Sequence, residues 1–163
     1  MRRTAQWVKL RRYFDVRSPL FHATTGPRAG LIVRGGGIKA QSGFSNFNGQ
    51  TGISTTRNLS FALKGDFGPY IFVLDGDAIR RRYSVQPTQH PSARDEFEDR
   101  VWADHIPLSM IRGVIIPRNL MRFEVQELAE EWPFPVVYKD RKEGWTLAKQ
   151  GERAASFSHP FLR

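Results

Sequence analysis

Three short stretches carry the side chains able to act together on a ligand. In Leu20-Phe21-His22-Ala23-Thr24, a histidine sits inside an otherwise apolar run of strand-forming character. Thr24 lies two residues on, so in an extended chain both side chains leave the same face and can aim two hydrogen-bonding groups at one ligand. The same residues also fit a core histidine bonded to a backbone partner. In Gly52–Leu63, a β-prone run turns at Arg57-Asn58 and continues with Leu59, Ala62 and Leu63 at helical spacing. Ser54, Thr56, Arg57 and Asn58 then stand together at a corner. They read either as a ligand-facing group or as a cross-strand hydroxyl pair with Asn58 capping the next helix. In Asp95-Glu96-Phe97-Glu98, two carboxylates share a face if the segment is extended. Such a pair repels, which can raise one pKa and divide acid/base from electrostatic duties. A helical segment would separate them, and solvated surface acids are the plain alternative.

Other chemistries find less support. The four histidines, His22, His90, His105 and His159, are scattered, with no HExxH spacing, so no metal site is expected. Gly35-Gly36-Gly37 lacks the Lys-Ser/Thr of a phosphate-binding loop and the GxGxxG spacing of a dinucleotide motif, so these glycines read as turn formers. Ser54 has no basic neighbour in sequence to make it a nucleophile. The chain has no cysteine, which removes disulfides and thiolate catalysis.

Charge narrows the partners. The 25 basic and 16 acidic residues give a formal charge of +9, which favours polyanions: nucleic acid, anionic membrane or nucleotide phosphates. Residues 1–17 hold Arg2, Arg3, Lys9, Arg11, Arg12 and Arg17 against Asp15, and Arg80-Arg81-Arg82 form a second basic group suited to nucleic acid. Residues 94–104 oppose the trend, with Asp95, Glu96, Glu98, Asp99 and Asp104 against Arg94 and Arg100. No run of 18 apolar residues and no secretory leader is visible, so the expectation is a soluble cytoplasmic protein without a transmembrane segment.

The elements that must position these groups are short. With 163 residues, 12 Phe and 4 Trp, one domain with a substantial aromatic core is expected. Trp7, Leu10 and Phe14 have helical spacing, which makes residues 1–17 a basic helix or arm. Residues 18–138 form the core and 139–163 a basic extension anchored by Trp145 and Leu147. Within the core, strands are expected at Leu20–Thr24, Ile38–Ala40, Tyr83–Gln86, Gly113–Ile116 and, last of all, Val136–Tyr138. Tyr70–Leu74 should be the central strand. Helical pieces are expected after Gly26-Pro27, at Asp75–Arg80, at Ser109–Arg112 and over Leu120–Ala129. Residues 41–52, rich in Gly, Ser and Asn with Phe44 and Phe47, read as an ordered surface loop or a flap. Short strands, short helices and long turns predict an α+β domain.

In order and spacing, these motifs resemble the ADP-ribosyltransferase superfamily over Leu20 to about Pro117. Phe21-His22-Ala23-Thr24 is similar to its histidine-type first motif, Ser54-Thr55-Thr56 to the hydroxyl motif of arginine-modifying toxins, and Glu96-Phe97-Glu98 to their Glu-x-Glu pair. The mixture of branches, with Ala23 where glycine is common, blurs the acceptor class more than the cofactor. The resemblance implies two packed antiparallel or mixed β-sheets forming a cleft with short flanking helices. It also implies NAD as cofactor and a macromolecular acceptor, protein or nucleic acid. By it, His22 would hold the ribose beside the nicotinamide, and the Ala23–Thr24 backbone would place the carboxamide. Ser54 and Thr56 would support the catalytic Glu98, and Glu96 would orient or deprotonate the acceptor. Phe61, Phe67 or Tyr70 would stack on nicotinamide, and Arg57, with Arg34, would meet the diphosphate. The size suggests a phage or bacterial single-domain member. The competing expectation is a noncatalytic basic protein, nucleic-acid-binding or a phage structural component, that keeps a related domain. NAD hydrolysis alone and RNA 2'-phosphotransfer are further variants, the second weakened by the lack of an extra basic amino-terminal domain.

Overall fold

A computed structural model of the chain describes residues 7, 10–40, 52–64, 67–87, 98–117, 134–140 and 144–147. Residues 41–51 of the loop or flap expected over 41–52, the expected helix at Leu120–Ala129 and Glu96 lie outside these residues, while Gly52 belongs to a strand. The described fold is mixed α+β with two β-sheets and short helices.

Strands β1 (Pro19–Thr24), β2 (Gly37–Lys39), β3 (Gly52–Thr56), β4 (Tyr70–Asp75), β5 (Ser84–Pro87), β6 (Glu98–Trp102), β7 (His105–Pro107), β8 (Ile111–Pro117), β9 (Val136–Asp140) and β10 (Gly144–Leu147) alternate with three helices, α1 (Gly26–Arg34), α2 (Leu59–Ala62) and α3 (Gly76–Arg82). The large sheet has the order β10-β9-β8-β4-β1-β3-β6-β5, and β2 pairs with β7 in a small second sheet. Among the described residues, the pairings are antiparallel except that of β8 with β9.

Alternation along the strands sends side chains to two separate cores. On one face, Leu20, Phe72, Leu74, Val114, Val136 and Val101 pack with Ala29 and Ile32 of α1, Ile79 of α3, and Ile38 and Ile106 of the small sheet. On the other, Phe21, Ile71, Val73, Ile115 and Val137 pack with Leu10, Phe14 and Val16 of the N-terminal segment and with Leu59 and Ala62 of α2. β4 is buried on both faces along Tyr70–Leu74, which explains its unbroken apolar run.

Several boundaries differ from the expectation. Helix α3 runs on to Arg82, because Asp75 caps it (Oδ1 accepts from Ala78 N–H at 3.0 Å) and nothing interrupts it before Tyr83. The helix expected at Ser109–Arg112 is a 3-10 turn over Leu108–Met110, and Ile111 and Arg112 join β8. Val136–Tyr138 is not the last strand: β10 pairs beside β9, with Trp145 opposite Lys139, inside the segment read as an extension. The charged run before Gly144 hid that hairpin, and β10 is only four residues long.

The N-terminal segment is held by close contact with the sheet. Arg11 N–H donates to Trp7 O at 2.9 Å in a helical turn, and Leu10 and Phe14 are buried. Phe14 lies so close over β8 that a Cβ on Gly113 would collide with the edge of its ring. Gly113→Ala should therefore lower stability by about 1–3 kcal/mol, read as a lower denaturant midpoint at unchanged slope. Phe14→Leu in the same chain should recover part of the loss, because it removes the clashing ring edge.

Candidate functional site

The two halves of the large sheet meet where β1 lies beside β3, and they are joined there by one rung, Phe21 opposite Thr56. Continuing that register would place Ala23 opposite Ser54. Instead, the Ser54 carbonyl lies 2.8 Å from His22 Nδ1. A carbonyl only accepts, so Nδ1 carries the proton and Nε2 of a neutral ring is left as an acceptor. Burial lowers the pKa of His22 from its ordinary 6.5; the bond to Ser54 raises it and nearby Arg28 lowers it further, leaving a net depression that favours the neutral ring.

Beside this seam is a cavity lined by Phe21 and Ala23 of β1, Ser54, Thr55 and Thr56 of β3, Phe61 and Ala62 of α2, Phe67, and Glu98 of β6. It is partly open to solvent, with a cavity volume of about 30 Å³. That is well below the ~300–1,000 Å³ of small-molecule pockets, so it is a shallow recess against which one end of a ligand can lie.

Each wall has a local cause. Thr56 stands directly opposite Glu98 and Ser54 opposite Arg100, so both hydroxyl residues and the carboxylate share one sheet face. Directly opposed residues have Cβ atoms about 5 Å apart. At the end of β3, Thr56 Oγ1 accepts from Asn58 N–H at 3.0 Å, and Asn58 Oδ1 accepts from Phe61 N–H at 3.3 Å. This turn-and-cap pair starts α2 at once and swings Phe61 over the cavity. Phe61 and Phe67 meet with ring centres 5.7 Å apart and planes tilted by 52°. Gly68, at φ +124°, follows Phe67; any side chain there would run into the Thr24 carbonyl, so glycine lets this loop close over the end of β1. Phe67 itself is 57% exposed, a large apolar ring left on the surface beside polar groups.

Of the residues named from sequence, Ala23, Ser54, Thr56, Phe61, Phe67 and Glu98 line this one cavity. His22, Thr24, Arg34, Arg57 and Tyr70 are not among its lining residues. His22 and Thr24 alternate with Phe21 and Ala23, so the cavity takes the other face of β1, and His22 reaches this corner only through the Ser54 carbonyl. Thr24 and Tyr70 are opposite each other and buried. Arg34 is exposed in the last turn of α1. Arg57 pairs with Asp99, Nε to Oδ2 at 2.7 Å.

Asp99 is the residue that sequence reasoning passed over. It belongs to the acidic island, but its parity on β6 is opposite to that of Glu98, so it is buried while its neighbour lines the cavity; only 3% of it is exposed. Its Oδ2 also lies 3.8 Å from Arg80 of α3, and its carbonyl accepts from Thr55 Oγ1 at 2.6 Å. Burial raises its pKa, against the opposing pull of Arg57 and Arg80. The available signal was the period-two pattern of Glu98-Asp99-Arg100-Val101, legible once Val101 is known to face the core.

No protein-family model and no curated protein sequence matches this chain. Among the described residues, no group of three or more side chains has the makeup of a metal site, and no helix is long and apolar enough to cross a membrane.

The His22 contact predicts a pH dependence. A native pKa below the unfolded value means the folded state is stabilised above the unfolded value, and this stability is lost as pH falls from about 6.5 through the native pKa. His22→Asn, whose amide can still donate to Ser54 O, should remove that acid-side loss while remaining folded at neutral pH. His22→Leu should cost about 0.5–1.5 kcal/mol at pH 8, the net worth of one hydrogen bond, because the Ser54 carbonyl is exposed and water can replace the ring. Urea denaturation at pH 8 and pH 5.5 checks both.

Proposed function

We propose that this protein is an NAD-dependent ADP-ribosyltransferase, moving ADP-ribose to a protein or nucleic-acid acceptor with release of nicotinamide. On this reading its sheets and short helices are an ADP-ribosyltransferase-like fold, and the strand seam is its cleft. The observation that carries the reading is the cavity itself. Glu98 is gathered with Ser54, Thr56 and the phenylalanines Phe21, Phe61 and Phe67 from segments far apart in the chain, a combination suited to breaking a nicotinamide–ribose bond.

The residues fit the dinucleotide's reactive end. When bound, NAD supplies an ADP-ribosyl group attached to nicotinamide, which departs as a neutral molecule. The tilted rings of Phe61 and Phe67 offer a stacking surface for a flat heterocycle, which also explains the exposure of Phe67. Backbone groups at Ala23 can meet the carboxamide. Glu98 stabilises the positive charge that builds on the sugar as the bond breaks, as carboxylates do in glycoside hydrolysis. Ser54 and Thr56 flank that carboxylate. The neutral His22 ring holds the corner from the other face of β1, through the Ser54 carbonyl, and so acts on the site indirectly. Arg57, turned to the far face by its pair with Asp99, steadies the end of β3 beneath the cavity rather than meeting the diphosphate. Glu96 is assigned to the acceptor.

A second reading, a noncatalytic polyanion-binding or phage structural protein, is favoured by the charge of +9 and by exposed Arg81 and Arg82 at the end of α3. One experiment separates the two. The protein is incubated with labelled NAD and protein, DNA or RNA acceptors, alongside Glu98→Gln and His22→Ala. The transferase reading expects label on one acceptor class and at least ~100-fold less with Glu98→Gln at unchanged melting temperature. Transfer that survives Glu98→Gln overturns the site assignment. No labelling, with salt-sensitive DNA or RNA binding whose log–log salt slope falls by about 1 for each of Arg81 and Arg82 removed, selects the second reading.

A further inference from the structure

Arg100 stands two residues from Glu98 on the same face of β6, and its Nη2 lies 2.9 Å from Glu98 Oε1. An exposed pair of this kind usually contributes little, because two long side chains lose freedom to hold it. Here both partners are confined: the Glu98 side chain is 12% exposed and that of Arg100 26%.

The confinement comes from the neighbouring strands. Gly52 opposes Trp102 at the start of β3. A Cβ there would stand 2.8 Å from Cδ and 2.9 Å from Cγ of Arg100, and 3.0 Å from Cζ3 of Trp102. The missing side chain is therefore the slot in which the Arg100 stem lies. The Arg100 guanidinium carbon is 5.8 Å from the centre of the Trp102 ring. That ring is held in turn by its own N–H, which donates to Gln86 Oε1 of β5 at 3.1 Å. Three strands thus fix one guanidinium against one oxygen of the cavity carboxylate.

We propose that Arg100 is the positioning residue of Glu98. It holds Oε1, and so keeps the carboxylate in one orientation with Oε2 available to a ribose hydroxyl. The proposal rests on the transferase reading above and adds to it the residue that aims the catalytic group. An ill-aimed group can cost about 100-fold in rate. A planar, two-pronged guanidinium bedded on an aromatic ring does this work better than the point charge of lysine.

The test is nicotinamide release from NAD by the full chain carrying Arg100→Ala, Arg100→Lys, Gly52→Ala, or Arg100→Ala combined with Glu98→Gln. Arg100→Ala should lower kcat by about 10- to 100-fold, with KM for NAD changed less than about two-fold. Free guanidinium ion at low millimolar concentration should restore part of that loss, and Arg100→Lys should fall between. Gly52→Ala, which fills the slot, should move kcat in the same direction. On the Glu98→Gln background, removing Arg100 should have no further effect, since its role acts through that carboxylate. An unchanged kcat, a loss lying wholly in KM, or a loss that guanidinium does not relieve and that adds to that of Glu98→Gln would each overturn the proposal while leaving the transferase reading in place. Absence of nicotinamide release from the unmodified protein would remove both.

Discussion

The structure depends on a seam. Five strands on one side and three on the other are joined through the single rung between Phe21 and Thr56. Past that rung the backbones no longer complete one another, and backbone groups at the seam take side chains or water as partners instead. His22 supplies one such partner with its ring. A strand junction completed by side chains is a natural place for a site. It is less regular than a continuous ladder, yet both of its walls are rigid strands rather than loops.

The walls are fixed from opposite faces of the sheet. On the cavity face, the turn at Thr56 and Asn58 launches α2 and brings Phe61 over the hydroxyls. On the far face, buried Asp99 collects Arg57 from the end of β3 and Arg80 from α3, tying strand end and helix to β6. Adjacent residues of one strand therefore divide the labour: Asp99 secures the frame, and Glu98 is presented to the cavity. These ion pairs, buried on the carboxylate side and exposed on the arginine side, need not add net stability, because desolvating the carboxylate offsets much of the screened attraction. Their effect is to fix where three elements meet.

Much of the frame was legible in the residues. The apolar run Tyr70–Leu74 marked the central strand, Asn58 with Leu59 and Ala62 marked a capped helix, and short strands between turns marked an α+β domain. The misses share a cause. β10 is a four-residue strand behind a charged run, too short for alternation to register, and it is held by pairing with β9 rather than by its own pattern. The extra turn of α3 came from continuity with a capped start, while three consecutive arginines read locally as surface charge. Asp99 was hidden because an acidic cluster looks uniform until a partner strand assigns its faces.

What the sequence alone determined is the inventory: an early histidine in an apolar strand, a hydroxyl-rich corner, a late carboxylate, and enough aromatic side chain to build two cores. Those are properties of residue type and short-range period, which local sterics and alternation dictate. Which of those groups meet was decided only by the tertiary fold. Strand parity put Ala23 rather than His22 on the cavity wall, and the β3–β6 register set Thr56 against Glu98. The absence of a side chain at Gly52 allowed Arg100 to reach that carboxylate. Each of these depends on pairing between residues some 30 to 50 positions apart, and no local pattern in a chain encodes the register of a partner it has not yet met.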